Sequence, residues 1–177
     1  MNPEDTDIWF VERAGDKWSD PQWLGPPVNT TAREFFVSFS DDGTIYFSSN
    51  IAAVGTKSPT NFDIYAAQPL NDGFHAPRRL GSGVNTGAYE ADVFVARDES
   101  YVIFATTRRS GFGRGDLFIS FKGEDGRWQR AVNMGESINT EGNELCPFVT
   151  HDGSTFLFTS REDIYSVDAS ILESYRP

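Results

Sequence analysis

Short apolar segments separated by polar turns dominate the sequence. Residues 35–39 are aromatic or β-branched except for one serine, and the turn residues Asp41-Asp42-Gly43 follow soon after. A second apolar run, Ile45-Tyr46-Phe47, comes next. Runs of this kind bounded by Asp and Gly predict β-strands joined by tight turns. Helical periodicity is absent except in the tail, residues 169–175, so the sequence predicts an all-β fold.

A string of aspartate, an aliphatic residue and an aromatic residue occurs four times. Its copies are Asp7-Ile8-Trp9, Asp63-Ile64-Tyr65, Asp116-Leu117-Phe118 and Asp163-Ile164-Tyr165, and they begin 56, 53 and 47 residues apart. We call it the Asp string. A longer motif runs without gaps in three copies: an aromatic residue, a glycine, an Asn-Thr pair, a glutamate and a turn aspartate. Its asparagines are Asn29, Asn85 and Asn139, its glutamates Glu34, Glu90 and Glu144, and its turn aspartates Asp42, Asp98 and Asp152.

Each repeat contains four predicted strands. The first follows the glutamate, the second follows the turn aspartate, the third opens with the Asp string, and residues 128–134 are an example of the fourth. Four-stranded units of about 40 to 50 residues are typical of β-propeller blades. A solenoid of stacked hairpins is the second interpretation. A β-sandwich is the third, because it does not explain the regular period.

The number of strands predicts a partial propeller. The chain starts at the third strand of one blade and then holds two complete blades and three strands of another. The predicted units are a blade end at 1–28, blades at 29–84 and 85–138, and a last blade at 139–177. Propellers have roughly four to eight blades, so about three blade-equivalents would leave open faces and edges. We therefore expect half of a six-bladed ring, completed by a missing N-terminal half or by a homodimer.

Composition excludes several classes of function. The chain has 177 residues and a net charge of -11, which argues against nonspecific binding to nucleic acid or to an anionic membrane. No apolar run is long enough for a membrane span, and the acidic start does not resemble a signal peptide. The single cysteine, Cys146, rules out an internal disulfide framework, and we expect it to be buried. One cysteine and two distant histidines argue against a structural zinc site.

The repeat resembles a known family. The Asn-Thr pair, the glutamate, the Asp-Gly turn, the polar strand ends Ser48-Ser49-Asn50, Thr107-Arg108 and Ser160-Arg161, and the Asp string together look like the TolB-like, WD-related (WD40-like) propeller repeat. The resemblance covers nearly the whole chain. It implies a six-bladed ring, a role in binding or scaffolding, and a periplasmic or secreted address for the intact protein.

One end of the blades is the predicted binding surface. Because strands alternate in direction, the blade-to-blade loops and the second-to-third-strand loops share one end, which we call the rim. The second-to-third-strand loops vary in length between repeats, and loops on a rigid scaffold are where binding tends to occur. The candidate ligand-binding residues at this rim are Glu34, Glu90, Asp92, Glu144, Arg108, Arg109, Phe112 and Arg161.

Two interpretations apply to most of these candidates. The three glutamates could form an arc that binds a cation or a basic peptide, or each could accept hydrogen bonds from loop amides or pair with an arginine. Asp92 replaces Phe36 and Cys146 of the other copies and lies two residues from Glu90. The two carboxylates could serve acid–base chemistry or bind calcium, or Asp92 could form a salt bridge with Arg108 or Arg109.

The remaining candidates include an aromatic anchor. Phe112 lies in the one basic, glycine-rich loop, residues 108–115, and could anchor an anionic or carbohydrate ligand there. The favoured interpretation of this loop is a flexible hairpin. The asparagines are expected to be structural, through left-handed backbone and bonds within their own turns. The tryptophans, namely Trp9, Trp18, Trp23 and Trp128, are expected to fill the core between blades.

Two functions follow from these observations. The favoured one is a noncatalytic binding or scaffold propeller that recognises a protein or glycan at the rim, without a cofactor and without membrane insertion. The alternative is a hydrolase or lyase that acts on a sugar or lactone through Glu90 and Asp92, with calcium as an optional cofactor.

Overall fold

A computed structural model describes residues 6–55 and 60–177 of the chain. These residues form an open arc of antiparallel sheets. The fifteen strands are β1 (Trp9–Phe10), β2 (Arg13–Ala14), β3 (Lys17–Trp18), β4 (Gln22–Trp23), β5 (Glu34–Phe39), β6 (Ile45–Ser49), β7 (Asp63–Ala67), β8 (Arg78–Arg79), β9 (Glu90–Val95), β10 (Tyr101–Thr106), β11 (Asp116–Phe121), β12 (Val132–Asn133), β13 (Glu144–Val149), β14 (Thr155–Ser160) and β15 (Asp163–Asp168).

Strand pairing divides the arc into blades. β5–β8 form a four-stranded sheet (blade I), β9–β12 form a second (blade II), and β13–β15 form a three-stranded sheet (blade III). In the N-terminal unit β1 pairs with β4, and the hairpin β2–β3 lies between them in sequence. The predicted fold, a partial β-propeller with four-stranded blades, is confirmed.

Three hydrophobic clusters hold neighbouring blades together. The first joins the N-terminal unit to blade I, the second joins blade I to blade II, and the third joins blade II to blade III. Side chains along a strand point alternately to the two neighbours: Leu117 of β11 lies in the third cluster, whereas the adjacent Phe118 lies in the second. Covering both faces explains why every residue of β11 is buried.

The aromatic prediction holds only in part. Trp128 packs against the cluster between blades I and II. Trp9, Trp18 and Trp23 are exposed by 48%, 67% and 45%, contrary to the prediction, because the described residues include no blade beyond the N-terminal unit.

A bulge interrupts the first strand of every blade at the same position. Phe36, Asp92 and Cys146 have left-handed backbone, with φ of 51°, 52° and 53°, and the register to the second strand shifts there. Two residues then oppose one on the partner strand, so simple alternation does not hold across the bulge. The cysteine prediction is wrong, because Cys146 is exposed. The same bulge in blade II leaves Asp92 buried, so the exposure of Cys146 follows from the lack of a further blade beside blade III among the described residues.

The predicted helical tail is confirmed as a 3-10 helix at Ala169–Tyr175. The Asp168 carboxylate accepts a hydrogen bond from the Ser170 backbone N–H and caps its start. Leu172 is buried in the cluster between blades II and III, and the Tyr175 hydroxyl donates to the Met134 carbonyl oxygen at 2.6 Å. A further helix in the described chain, a 3-10 turn at Ile51–Ala53, was not predicted. None of the described helices is long and apolar enough to cross a membrane.

Candidate functional site

The rim is built at one end of each blade, as predicted. In blade II, Glu90 at the start of β9 pairs with Thr106 at the end of β10, and Thr106 pairs with Asp116 at the start of β11. Blades I and III repeat this row, with Glu34 and Glu144 in the place of Glu90. The recurring glutamates, the polar strand ends and the Asp strings therefore lie at the same end of the arc.

The rim glutamates are enclosed by the protein. All three have 0% exposure. One oxygen of Glu34 accepts the Thr30 backbone N–H at 3.0 Å, and the other accepts the hydroxyls of Thr30 and Ser49 at 2.7 and 2.9 Å. The other two blades repeat these contacts. Each carboxylate thus ties the Asn-Thr loop to the second strand of its own blade.

Arg108 adds a cation to this arrangement in blade II. Its Nε donates to Glu90 at 3.3 Å, and a terminal guanidinium nitrogen donates to the Val84 carbonyl oxygen. The guanidinium also lies 5.3 Å and 5.2 Å from the ring centroids of Phe104 and Phe118. Its side chain is only 12% exposed, so Arg108 is packed into the blade.

The repeated asparagines join consecutive blades. The Asn85 side chain accepts from the Ile64 backbone N–H and donates to the Ile64 carbonyl oxygen, both at 2.8 Å. Asn29 and Asn139 make the same two bonds to Ile8 and Leu117. The expected structural role is present, but its physical basis is different. The asparagine binds the third strand of the preceding blade, and none of the three has left-handed backbone.

The Asp strings form a second link that sequence reasoning missed. Trp23 Nε1 donates to Asp7 at 2.9 Å, the Arg79 guanidinium to Asp63 at 2.7 and 2.6 Å, and the Asn133 amide to Asp116 at 2.7 Å. In each case the donor lies on the fourth strand. The three donors are different residue types at the same repeat position. The signal in the sequence is only that each of them carries a side-chain N–H group.

Asp92 lies in the bulge of β9. It is 8% exposed, and its carboxylate accepts a long hydrogen bond of 3.4 Å from the Cys146 backbone N–H in blade III. Burial raises the pKa of Asp92, and burial together with the Asp92 charge raises the pKa of the Cys146 thiol. Neither Arg108 nor Arg109 forms an ion pair with Asp92 in the described chain, so that expected bridge is not formed.

Three of the predicted rim residues remain accessible. Arg109, Phe112 and Arg161 are exposed, Phe112 by 50%. Phe112 and Arg161 line one depression of about 600 Å³ together with Glu136 and Glu141 of the loop between blades II and III. Arg161 has φ of 52° and occupies the two-residue turn between β14 and β15. The structure thus brings an aromatic side chain and charges of both signs to one surface.

A larger cavity of about 920 Å³ lies at the opposite end, on the inner side of the arc. Asp41, Arg97 and His151 occupy the position before the turn aspartate in successive blades. Arg97 contacts both of the other two side chains across the blade boundaries. These residues were not predicted, although the repeat alignment places them in one column. Phe39 and Phe148, exposed by 52% and 53%, line the same cavity.

Calcium binding at the rim stays a prediction. Among residues 6–55 and 60–177, no group of three or more His, Cys, Asp or Glu side chains is placed to hold a metal ion. The rim carboxylates of Glu34, Glu90 and Glu144 instead accept hydrogen bonds from threonine and serine.

Comparison with known proteins identifies the architecture. No family model and no curated protein sequence matches the chain. Among solved structures, TolB from Acinetobacter baumannii superposes on 93% of this chain with a TM-score of 0.55 and 13% sequence identity. The fold is TolB-like. The chain spans 39% of that TolB chain, and at this identity the likeness concerns the fold alone.

Proposed function

We propose that this TolB-like chain is a noncatalytic binding module whose rim recognises a protein partner. One observation carries the proposal. The recurring rim carboxylates are buried and accept hydrogen bonds from within the protein. Phe112 and Arg161 do not belong to that network, and both are accessible around one depression. Exposed aromatic and arginine side chains are the residue types that most often dominate protein interfaces. A glycan is the second ligand class that such a surface would suit.

The burial of Glu90 weighs against the role that the enzymatic alternative gives to this residue. Glu90 is fully buried, and its two oxygens accept hydrogen bonds from Thr86, Thr106 and Arg108. A general acid or nucleophile must reach the substrate, and this carboxylate has no open path. Alanine substitution of Glu90 or Arg108 would therefore report on folding rather than on ligand binding.

The test compares a rim variant with a matched control. The immobilised chain, the double variant Phe112→Ala/Arg161→Ala, and the control Leu70→Ala/Arg127→Ala are incubated with soluble extract of the source cells. Leu70 and Arg127 are also exposed, and they lie on third-to-fourth-strand turns away from the rim. We expect quantitative mass spectrometry to find proteins retained by the wild type and the control and lost from the rim variant.

Two results would contradict the proposal. If the rim variant retained the same proteins, the binding site would not include Phe112 and Arg161. Binding to a glycan array that requires Phe112, without any retained protein, would replace the protein partner with a glycan.

Two further proposals rest on the family resemblance and the open arc. We expect the intact protein to be periplasmic or secreted, which fractionation of the source cells checks. We also expect the arc to be completed by an N-terminal half or by a second copy. A solution mass equal to twice that of the chain would favour the second copy.

A further inference from the structure

A polar cavity of about 450 Å³ lies on blade II, separate from the rim depression at Phe112. Three segments form its walls: the loop between blades I and II, the second-to-third-strand loop of blade II, and the residues just before β12. Because blades I and III flank blade II, these walls do not border the open ends of the arc. No acidic side chain of the described residues lines the cavity. We call it the blade II pocket, and its polar lining residues are Ser82, Thr86, Arg108, Ser110 and Arg130.

Gly83 brings the first of these walls against the third. Its carbonyl oxygen accepts a hydrogen bond from the Ala131 backbone N–H at 2.9 Å. A Cβ atom at residue 83 would collide with the carbonyl oxygens of Trp128 and Gln129, so only glycine lets the two segments approach this closely. The shape of the blade II pocket is therefore set by backbone contacts.

Arg108 presents a guanidinium group that is already held in place. Its Nε donates to Glu90, and one terminal nitrogen donates to the Val84 carbonyl oxygen. The group also packs near the rings of Phe104 and Phe118. In the described part of the chain its other terminal nitrogen, Nη1, has no hydrogen-bond partner. A ligand that binds this nitrogen therefore costs little side-chain entropy, because the side chain is already ordered.

Arg130, Ser82 and Ser110 complete the set of donors. All three are exposed, and within residues 6–55 and 60–177 their side chains form no hydrogen bond or ion pair. Glu90 balances the charge of Arg108, so Arg130 supplies the net positive charge of the pocket. In blade I the equivalent repeat positions hold Pro26 instead of Ser82 and Ala76 instead of Arg130. These donors are therefore a feature of blade II and do not belong to the repeat.

We propose that the blade II pocket binds the carboxylate or phosphate group of a small polar molecule. Arginine forks match the geometry of both groups, and the absence of a lining carboxylate leaves the donors available to an anion. Arg130 provides the charged contact, Ser82 and Ser110 donate their hydroxyls, and Arg108 donates through Nη1. The volume lies within the range of about 300–1,000 Å³ that is typical of small-molecule sites. The pocket shares no lining residue with the rim depression, so this proposal and the proposed function can succeed or fail independently.

Titration of the full chain with sugars that differ only at carbon 6 tests the proposal. Glucuronate carries a carboxylate, glucose 6-phosphate carries a phosphate, and glucose carries neither. We expect only the acidic sugars to shift the backbone amide signals of Gly83, Ser110 and Ala131 in heteronuclear NMR spectra, and the tighter of the two identifies the anion. Arg130→Ala should weaken binding about tenfold to a hundredfold, because a charge-assisted hydrogen bond is lost. Arg127→Ala, which removes another exposed arginine nearby, should leave binding unchanged.

Two further variants complete the test. Ser82→Ala/Ser110→Ala should weaken binding without changing the free energy of unfolding, because both side chains are exposed. The rim variant Phe112→Ala/Arg161→Ala should bind the acidic sugars as the wild type does. The proposal would be overturned by the absence of shifts at millimolar sugar, by an equal response to glucose, or by unchanged affinity of Arg130→Ala. Loss of binding in the rim variant would also overturn it, because the anion would then lie in the rim depression.

Discussion

Glu90 and Glu34 occupy the same position in neighbouring blades but differ in one partner. Both are fully buried, and both accept hydrogen bonds from a loop threonine, but only Glu90 also pairs with an arginine. Removing the charge of Glu90 leaves the Arg108 guanidinium partly buried without its partner. Removing the charge of Glu34 weakens hydrogen bonds from neutral donors only. The glutamate at this repeat position should therefore contribute different amounts to the free energy of unfolding in the two blades.

The first prediction follows from that difference. We expect Glu90→Gln to lower the free energy of unfolding by about 3 kcal/mol, because it breaks a buried ion pair. We expect Glu34→Gln, the matched control, to cost about 1 kcal/mol, because a neutral acceptor remains for its hydroxyl donors. Urea denaturation followed by tryptophan fluorescence measures both. Equal losses of unfolding free energy in the two variants would show that the ion pair between Arg108 and Glu90 does not stabilise the fold.

The second prediction concerns pH and Asp92. Burial raises the folded-state pKa of this carboxyl group, so the folded protein binds its proton more tightly than the unfolded chain does. The ionised form consequently opposes folding, and its cost grows as pH rises through the folded pKa. Asp92→Asn keeps an acceptor for the Cys146 N–H and suits left-handed backbone.

We expect Asp92→Asn to be more stable than the wild type at pH 7, with a difference that shrinks as the pH falls below the folded pKa. The comparison uses unfolding free energies measured from about pH 4 to about pH 8, because a buried carboxyl group with a raised pKa titrates within this range. A variant that is less stable than the wild type at pH 7 would mean that the Asp92 charge has a stabilising partner.

The turn between β14 and β15 is the shortest second-to-third-strand connection in the chain. Its two central residues, Arg161 and Glu162, both have positive φ, at 52° and 65°. A two-residue hairpin with positive φ at both positions normally contains Asn-Gly, because other side chains are strained there. A sequence usually avoids such strain, and here the turn also places Arg161 at the rim depression.

The third prediction separates stability from binding at this turn. We expect Arg161→Asn/Glu162→Gly to raise the free energy of unfolding by about 1–2 kcal/mol, because left-handed strain is relieved. The same variant should weaken partner binding at the rim, because Arg161 is lost. Thermal unfolding and the retention experiment described above measure the two effects. Unchanged stability would indicate that this turn carries little strain.

The repeat explains why the architecture was predictable and several roles were not. Spacing alone placed the Asp strings and the glutamates at one end of each blade. Cys146 and Asp92 occupy the same bulge, but only Asp92 is buried, because a further blade packs beside blade II and none packs beside blade III in the described residues. The exposure of Trp9 and Trp23 depends on which neighbours the blade has, and local sequence does not encode that. The hydrogen bonds from Trp23, Arg79 and Asn133 to the Asp strings were not predicted, because three different residue types donate from the same repeat position.

Stability should differ along the arc, because the blades contact only their neighbours. The cluster between blades II and III contains twelve buried residues, whereas that between the N-terminal unit and blade I contains six. The N-terminal unit is also held by strand pairs only two residues long. In repeat architectures the folding energy is close to a sum of unit and interface contributions, so the weakest interface opens first.

The last prediction uses one repeat position in two places. Ile8 and Leu117 are both the second residue of an Asp string, at 9% and 0% exposure. We expect Leu117→Ala to lower the global free energy of unfolding by about 2–5 kcal/mol, because it leaves a cavity in the largest cluster. We expect Ile8→Ala to speed hydrogen exchange in residues 6–28 while the amides of β10 and β11 remain protected.

Hydrogen exchange detected by mass spectrometry, combined with urea denaturation, distinguishes the two variants. If Ile8→Ala accelerated exchange throughout the arc, the chain would unfold as one cooperative unit and the blades would not be energetically separable. If it acts only on residues 6–28, the N-terminal unit opens while blades II and III stay folded. The face of blade I that carries Ile45, Phe47 and Tyr65 would then become exposed while the cluster between blades II and III stays intact.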